Sequence, residues 1–182
     1  MSEKSSNFLN MTVTLIIVTA VAAISLGFVF EVTKEPIAKA RLEKQKRAIE
    51  AVTGQAENDP LADVYTSSGG FEVYPVKKDN QEIAKAIKTS SEKGYSGRIE
   101  LILGVDTEGK ILGIQVLDHR ETPGLGSKIS AEGFQQQFIG QNQSSLDYRV
   151  TKDGGQVDAI SGATISSRAF AEAVYQALTD QK

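Results

Sequence analysis

The sequence predicts an α+β protein: one apolar helix, then an antiparallel sheet, then packed helices. Three observations carry that reading. An uncharged run extends from Met11 to Phe30. Stretches between Phe71 and Leu117 alternate apolar and polar residues at the period of a strand. Beyond Ile165 the apolar residues return to helical spacing. Strands grouped before helices favour an antiparallel sheet over a doubly wound one.

Residues 1–10 read as a short polar tail. The run 11–30, at about 1.5 Å per residue, matches a hydrocarbon core of roughly 30 Å. The hydroxyls of Thr12, Thr14, Thr19 and Ser25 can bond back to the helix backbone. Ala20-Val21-Ala22 offers a small-x-small cleavage site, but the apolar run continues to Phe30, too long for an ordinary signal h-region. We therefore expect an uncleaved anchor. Lys34, Lys39, Arg41, Lys44, Lys46 and Arg47 follow it, and only Lys4 precedes it. That charge pattern alone places the rest of the chain in the cytoplasm.

Residues 31–60 read as a stalk helix and linker. Thr33 to Val52 is rich in good helix formers, and Pro36 stands where a first turn tolerates it. Gly54 to Pro60 and Thr66 to Gly70 read as loops. The compact domain is expected over 61–182. Phe71 to Tyr74 and Ile83 to Thr89 read as strands, and 97–105 and 111–117 as a hairpin around Asp106-Thr107-Glu108-Gly109-Lys110. Ser130 to Ile139 reads as one short helix with Phe134 and Phe138 on a shared face. Gly154-Gly155 marks a turn between Tyr148-Arg149-Val150 and Gln156-Val157. Ile165 to Thr179 closes the chain as an amphipathic helix facing inward through Phe170, Val174, Ala177 and Leu178.

Composition removes several functions. A net charge of -3 without a long basic stripe argues against nucleic-acid binding. The chain has no cysteine and one histidine, which excludes disulfides, iron–sulfur ligation, cysteine nucleophiles and a His-rich metal site. Redox chemistry here requires an organic cofactor.

Two segments concentrate chemistry. In Asp158-Ala159-Ile160-Ser161-Gly162-Ala163-Thr164-Ile165-Ser166-Ser167, a flexible Gly-Ala pair precedes a helix start at Thr164. Unpaired N–H groups and the helix dipole favour a phosphate there, and Ser161, Ser166 and Ser167 add hydroxyls. Simple helix capping accounts for the same residues. In His119-Arg120-Glu121-Thr122-Pro123-Gly124-Leu125-Gly126-Ser127-Lys128, glycines allow close approach to a flat ligand, and Thr122 and Lys128 can hydrogen-bond it. A breaker-rich surface turn reads the same way. A hydrolytic triad of Ser161 or Thr164 with His119 and an Asp lacks the first glycine of a nucleophile elbow.

The stretches GYSGRIELILGVDTEGKILGIQVLDHRETPGLGSKI and VDAISGATISSRAFAEAV, behind a single apolar run, resemble the FMN-binding domain family. Within it they are most similar to G subunits of Rnf electron-transport complexes, with the C subunits of Na⁺-translocating NADH:quinone oxidoreductases as the alternative. A third reading is a stand-alone exported flavin module. The resemblance implies that FMN is joined by a phosphoester to Thr164, the last Thr of Ser-Gly-Ala-Thr. Ser161, Gly162, Ala163 and Ser166 would surround the phosphate, with Glu121, Thr122, Leu125, Gly126 and Lys128 nearer the ring. Asp158 would open the motif recognised by a flavin transferase. The implied partners are the other Rnf subunits, that transferase and membrane lipid. No residue is given a catalytic role and no metal is implied. The family places this domain outside the cytoplasmic membrane, against the charge pattern, and long domains do cross largely regardless of charge.

Overall fold

The computed structural model describes residues 8–79 and 81–179. The first part of the expected tail, residues 1–7 with Lys4, lies outside the described residues. The chain divides into two compact units, Met1–Glu43 and Lys44–Lys182.

The described residues of the first unit are helical. That unit holds most of α1, which runs unbroken over Phe8–Thr53. Every side chain from Phe8 to Glu43 is exposed, including Leu15, Ile16, Ile24, Leu26 and Phe28. So long an exposed apolar surface has no favourable place in water and matches lipid. Thr12, Thr14 and Thr19 donate to the carbonyls of Phe8, Asn10 and Leu15 at 2.8, 2.8 and 2.9 Å, so their hydroxyls add no unpaired polar group. Pro36 differs from expectation. It lies in the interior of α1 and not in a first turn, where its missing N–H removes one helical bond.

The second unit begins at Lys44, upstream of the expected boundary at 61, because the end of α1 packs on the sheet. That sheet is an antiparallel meander in the order β1 (Tyr65–Thr66), β2 (Glu72–Lys78), β3 (Gln81–Gly94), β4 (Gly97–Asp106), β5 (Ile111–His119). The expected hairpin is β4–β5, with Asp106 Oδ1 accepting from the N–H groups of Glu108 and Lys110 at 2.8 and 2.9 Å to close the turn. β2 and β3 are longer than their alternation announced. Pro75 sits in β2 beyond the reach of the two-residue β1, so no neighbour on that side needs its absent N–H.

The sheet is covered on both faces. Ala48, Ile49 and Val52 of α1 pack against Tyr74, Val76, Ala84, Ala86, Ile102 and Leu117. Gly104 and Gly113 pair across β4 and β5 and leave a flat spot for Val52; a Cβ on Gly104 would stand 2.0 Å from the Val52 carbonyl oxygen. On the opposite face, Ile99, Leu101, Leu103 and Val105 of β4 meet α3 (Thr164–Thr179) through Phe170 and Val174.

The segment expected as one helix over 130–139 is broken into a 3₁₀ turn at Gly126–Ser130, a single turn α2 (Glu132–Gln135) and a second 3₁₀ turn at Gln136–Phe138. The breaks let both rings turn inward. Phe134 and Phe138 meet edge to face at 5.7 Å, and each also packs on Phe170. Around Gly154-Gly155, Val150 and Val157 form a parallel bridge enclosing a 3₁₀ turn, Thr151–Asp153.

Candidate functional site

The two chemistry-bearing segments meet in one cleft of about 500 Å³, a volume within the range of small-molecule sites. Glu121, Thr122, Leu125 and Gly126 line it from the loop after β5, and Gly162, Ala163, Thr164, Ile165 and Ser166 from the start of α3. Tyr95, from the β3–β4 turn, and Lys152 complete it.

The entry to α3 is built by one tight turn. Ala163 N–H donates to Ile160 O at 2.9 Å, and Gly162 adopts φ +77° at the third position, where a side chain would be strained. Ser167 braces it from inside: its Oγ accepts from Ile160 N–H and donates to Ala163 O, both at 3.0 Å. Thr164 is the first residue of α3, with Ala163 in the cap position. Its hydroxyl is therefore not the helix cap. It accepts from Lys152 Nζ at 3.2 Å. The N–H groups of the first turn have no intrahelical acceptor and present the positive end of α3 to the cleft.

Beneath this lies a buried carboxylate. Glu121, only 4 % exposed, accepts from Ser166 Oγ at 2.7 Å and from Ser96 N–H at 3.2 Å. Gly126 packs against the same pair; a Cβ there would stand 2.6 Å from Glu121 Oε2 and 2.8 Å from Ser166 Oγ. A glycine is the residue that lets this wall close. Leu125, Ile165 and Tyr95 leave apolar surface at the mouth, 45, 46 and 68 % exposed.

Ser161 and Lys128 do not line the cleft. Ser161 is the exposed corner of the tight turn. The 3₁₀ turn at Gly126–Ser130 buries Gly126 and Ile129 and leaves Lys128 exposed. The hydroxyls of Ser166 and Ser167 are spent on Glu121 and Ala163. Asp158 is exposed, while Gln137 grips its backbone by accepting from its N–H at 2.8 Å and donating to its carbonyl at 3.3 Å. His119 is outside the cleft, its Nδ1 accepting from Glu121 N–H at 3.2 Å, which leaves a hydrolytic triad without its base. Sequence reasoning missed Tyr95 and Lys152. Tyr95 lay inside a quoted motif, in a glycine-flanked turn. Lys152 gave no local signal beyond a breaker-rich loop.

A cleft joining a glycine-rich loop to a helix start, with a cation at the first hydroxyl, defines a domain suited to a phosphorylated flat ligand. A family model described as an FMN-binding domain matches residues 94–179, a span that contains every residue lining the cleft. The G subunit of the ion-translocating oxidoreductase complex of Methanosarcina acetivorans is 34% identical over 96% of this chain and 94% of that protein. Its counterpart in Stutzerimonas stutzeri is 38% identical over 91% of this chain and 77% of its own length. Among solved structures, the C subunit of the Na⁺-translocating NADH-quinone reductase of Parabacteroides distasonis shares 28% identity at a TM-score of 0.50, over 60% of each chain. The chain belongs to the family of ion-translocating oxidoreductase complex G subunits.

Proposed function

We propose that the chain is the membrane-anchored flavoprotein subunit of an Rnf-type ion-translocating oxidoreductase complex. In this reading it carries FMN on Thr164 and relays electrons in ferredoxin:NAD⁺ transfer coupled to Na⁺ or H⁺ transport. One observation carries it: two motifs far apart in the sequence line a single cleft with the Thr164 hydroxyl on its wall.

The donor set fits the group. Lys152 and the open first turn of α3 offer positive charge and N–H donors to a phosphate. Leu125, Ile165 and Tyr95 offer apolar surface to a ring. Bound there, a flavin supplies the one- and two-electron chemistry that no side chain of this chain supplies. The chain's own part is to hold the phosphate end, fix the wall through Glu121 and Ser166, and leave the mouth open to a neighbouring protein of the complex.

Attachment makes Thr164 an acceptor in a reaction run by a Mg²⁺-dependent flavin transferase. Thr164 Oγ1 bonds to the phosphorus of the FMN half of FAD, the pyrophosphate bond breaks, AMP leaves, and the hydroxyl proton passes to solvent. No electron is transferred in that step. The exposed Asp158 is available for recognition by the transferase. The apolar part of α1 crosses the membrane, with lipid around it and the flavin domain on the outer face. The relatives support an Rnf-type G subunit over a quinone-reductase C subunit, since the G subunits match nearly the whole chain at higher identity.

The test is intact mass after co-expression with a flavin transferase. Wild type gains one FMN residue and Thr164→Ala gains none; a flavinylated Thr164→Ala protein overturns the attachment. A C-terminal reporter active only outside the membrane checks topology: activity supports the outer face, and an inactive reporter on a stably expressed chain supports the charge pattern instead.

A further inference from the structure

Among the described residues lining the cleft, Lys152 is the one cation. Its position is set by the loop around it. Thr151 N–H donates to Val157 O at 2.9 Å and Gly155 N–H to Val150 O at 3.2 Å, closing a short loop on the Val150–Val157 bridge. Arg168 then fastens that loop to α3, bonding both oxygens of Asp153 at 2.7 and 2.9 Å. Arg168 is one helical turn beyond Thr164, so the fastening brings the preceding residue, Lys152, over the acceptor hydroxyl.

The acid beside Lys152 in the chain and the acid lining the cleft are both already engaged. Asp153 is held by Arg168, whose guanidinium keeps its carboxyl below the usual carboxylate range, and Glu121 is held by Ser166 and Ser96. Among the described residues no acid forms an ion pair with Lys152; its described partner is Thr164 Oγ1. An ammonium has three donors and no acceptor. In its bond to Thr164, Lys152 is the donor. It is a donor without an anion, placed where a phosphoryl group joins the chain.

We propose that Lys152 binds the phosphoryl group delivered to Thr164, holding it at the acceptor hydroxyl during transfer and remaining the counter-ion of the phosphodiester afterwards. This rests on the covalent-flavin reading above. It means that the acceptor domain supplies part of the transfer site and is not merely a passive peptide for the transferase.

The experiment follows flavinylation of the full chain in detergent by a Mg²⁺-dependent flavin transferase, with FAD below saturation and mass gain read against time. Lys152→Met slows the initial rate by at least about tenfold, the range expected for one charge-assisted bond. Lys152→Arg keeps most of the rate, because the charge and its donors persist. Lys152 is exposed, so both variants keep the thermal midpoint of the unmodified wild type. A wild-type rate in Lys152→Met overturns the proposal. So does equal slowing in the Met and Arg variants, which would mark shape or transferase docking in place of charge. If wild type itself gains no mass, the covalent reading has failed and takes this inference with it.

Discussion

Ser166 donates its hydroxyl to Glu121 Oε2 at 2.7 Å, tying the first turn of α3 to the loop that follows β5. The other carboxylate oxygen reaches the β3–β4 turn through Ser96 N–H. Three segments that form the cleft thus converge on one buried acid.

Removing the Ser166 hydroxyl leaves that buried carboxylate short of a donor. Ser166→Ala is expected to cost about 1–3 kcal/mol, read as a shift of the urea midpoint of the detergent-solubilised chain. Glu121→Gln loses less, because its amide oxygen still accepts from Ser96 and its NH₂ can donate to Ser166. An unshifted midpoint in Ser166→Ala would show that the bond does not hold the cleft together.

The flat spot at Gly104 makes a second prediction. A methyl group there meets the Val52 backbone at 2.0 Å, and backbone cannot swing aside as a side chain tip can. Gly104→Ala therefore displaces the end of α1 from the sheet, with a loss of about 1–3 kcal/mol or more. Hydrogen exchange at Ala48 to Val52 should accelerate, while exchange in α3 on the opposite face stays slow.

Acid pH tests a surface pair. Arg149, hydrogen-bonded to Asp147 through both side chain and backbone, holds that carboxyl down to about 2 from an ordinary 3.8. The folded value is the lower one. The pair's stabilisation is thus complete above the ordinary value and is lost as pH falls through about 2. Arg149 is exposed and Asp147 only half-buried, so the contribution is small. The measurement is the Asp147 carboxyl titration by NMR: Arg149→Met should move its midpoint up toward 3.8, and an unchanged midpoint would remove the pair as its cause.

Much of this architecture is legible in the residues. The β4–β5 hairpin declares itself because Asp106 to Lys110 is turn chemistry between two alternating runs, and local rules suffice. α3 is equally plain, since its apolar period and its small residues point to one buried face. β3 is not, because Lys85, Lys88 and the Thr89-Ser90-Ser91 run alternate without an apolar face strong enough to declare its length. The broken segment from Gly126 to Phe138 is governed by where Phe134 and Phe138 must go, a tertiary demand that overrides helical spacing. The same holds in the cleft. Glu121 and Thr164 lie in motifs that stand out, whereas Lys152 reaches Thr164 only because Arg168 and Asp153 fold its loop onto α3. Lys128 is the lysine the sequence offers in its place, and the 3₁₀ turn leaves it outside the cleft.

The central claim is the bond to Thr164, and tryptic mapping tests it most directly. Cleavage after Lys152 and Arg168 releases the peptide Asp153–Arg168, which holds Thr164 together with Ser161, Ser166 and Ser167. After flavinylation this peptide should carry the whole FMN mass, and fragmentation should place it on Thr164. The adduct on any of the three serines, or on any other peptide, would contradict the account.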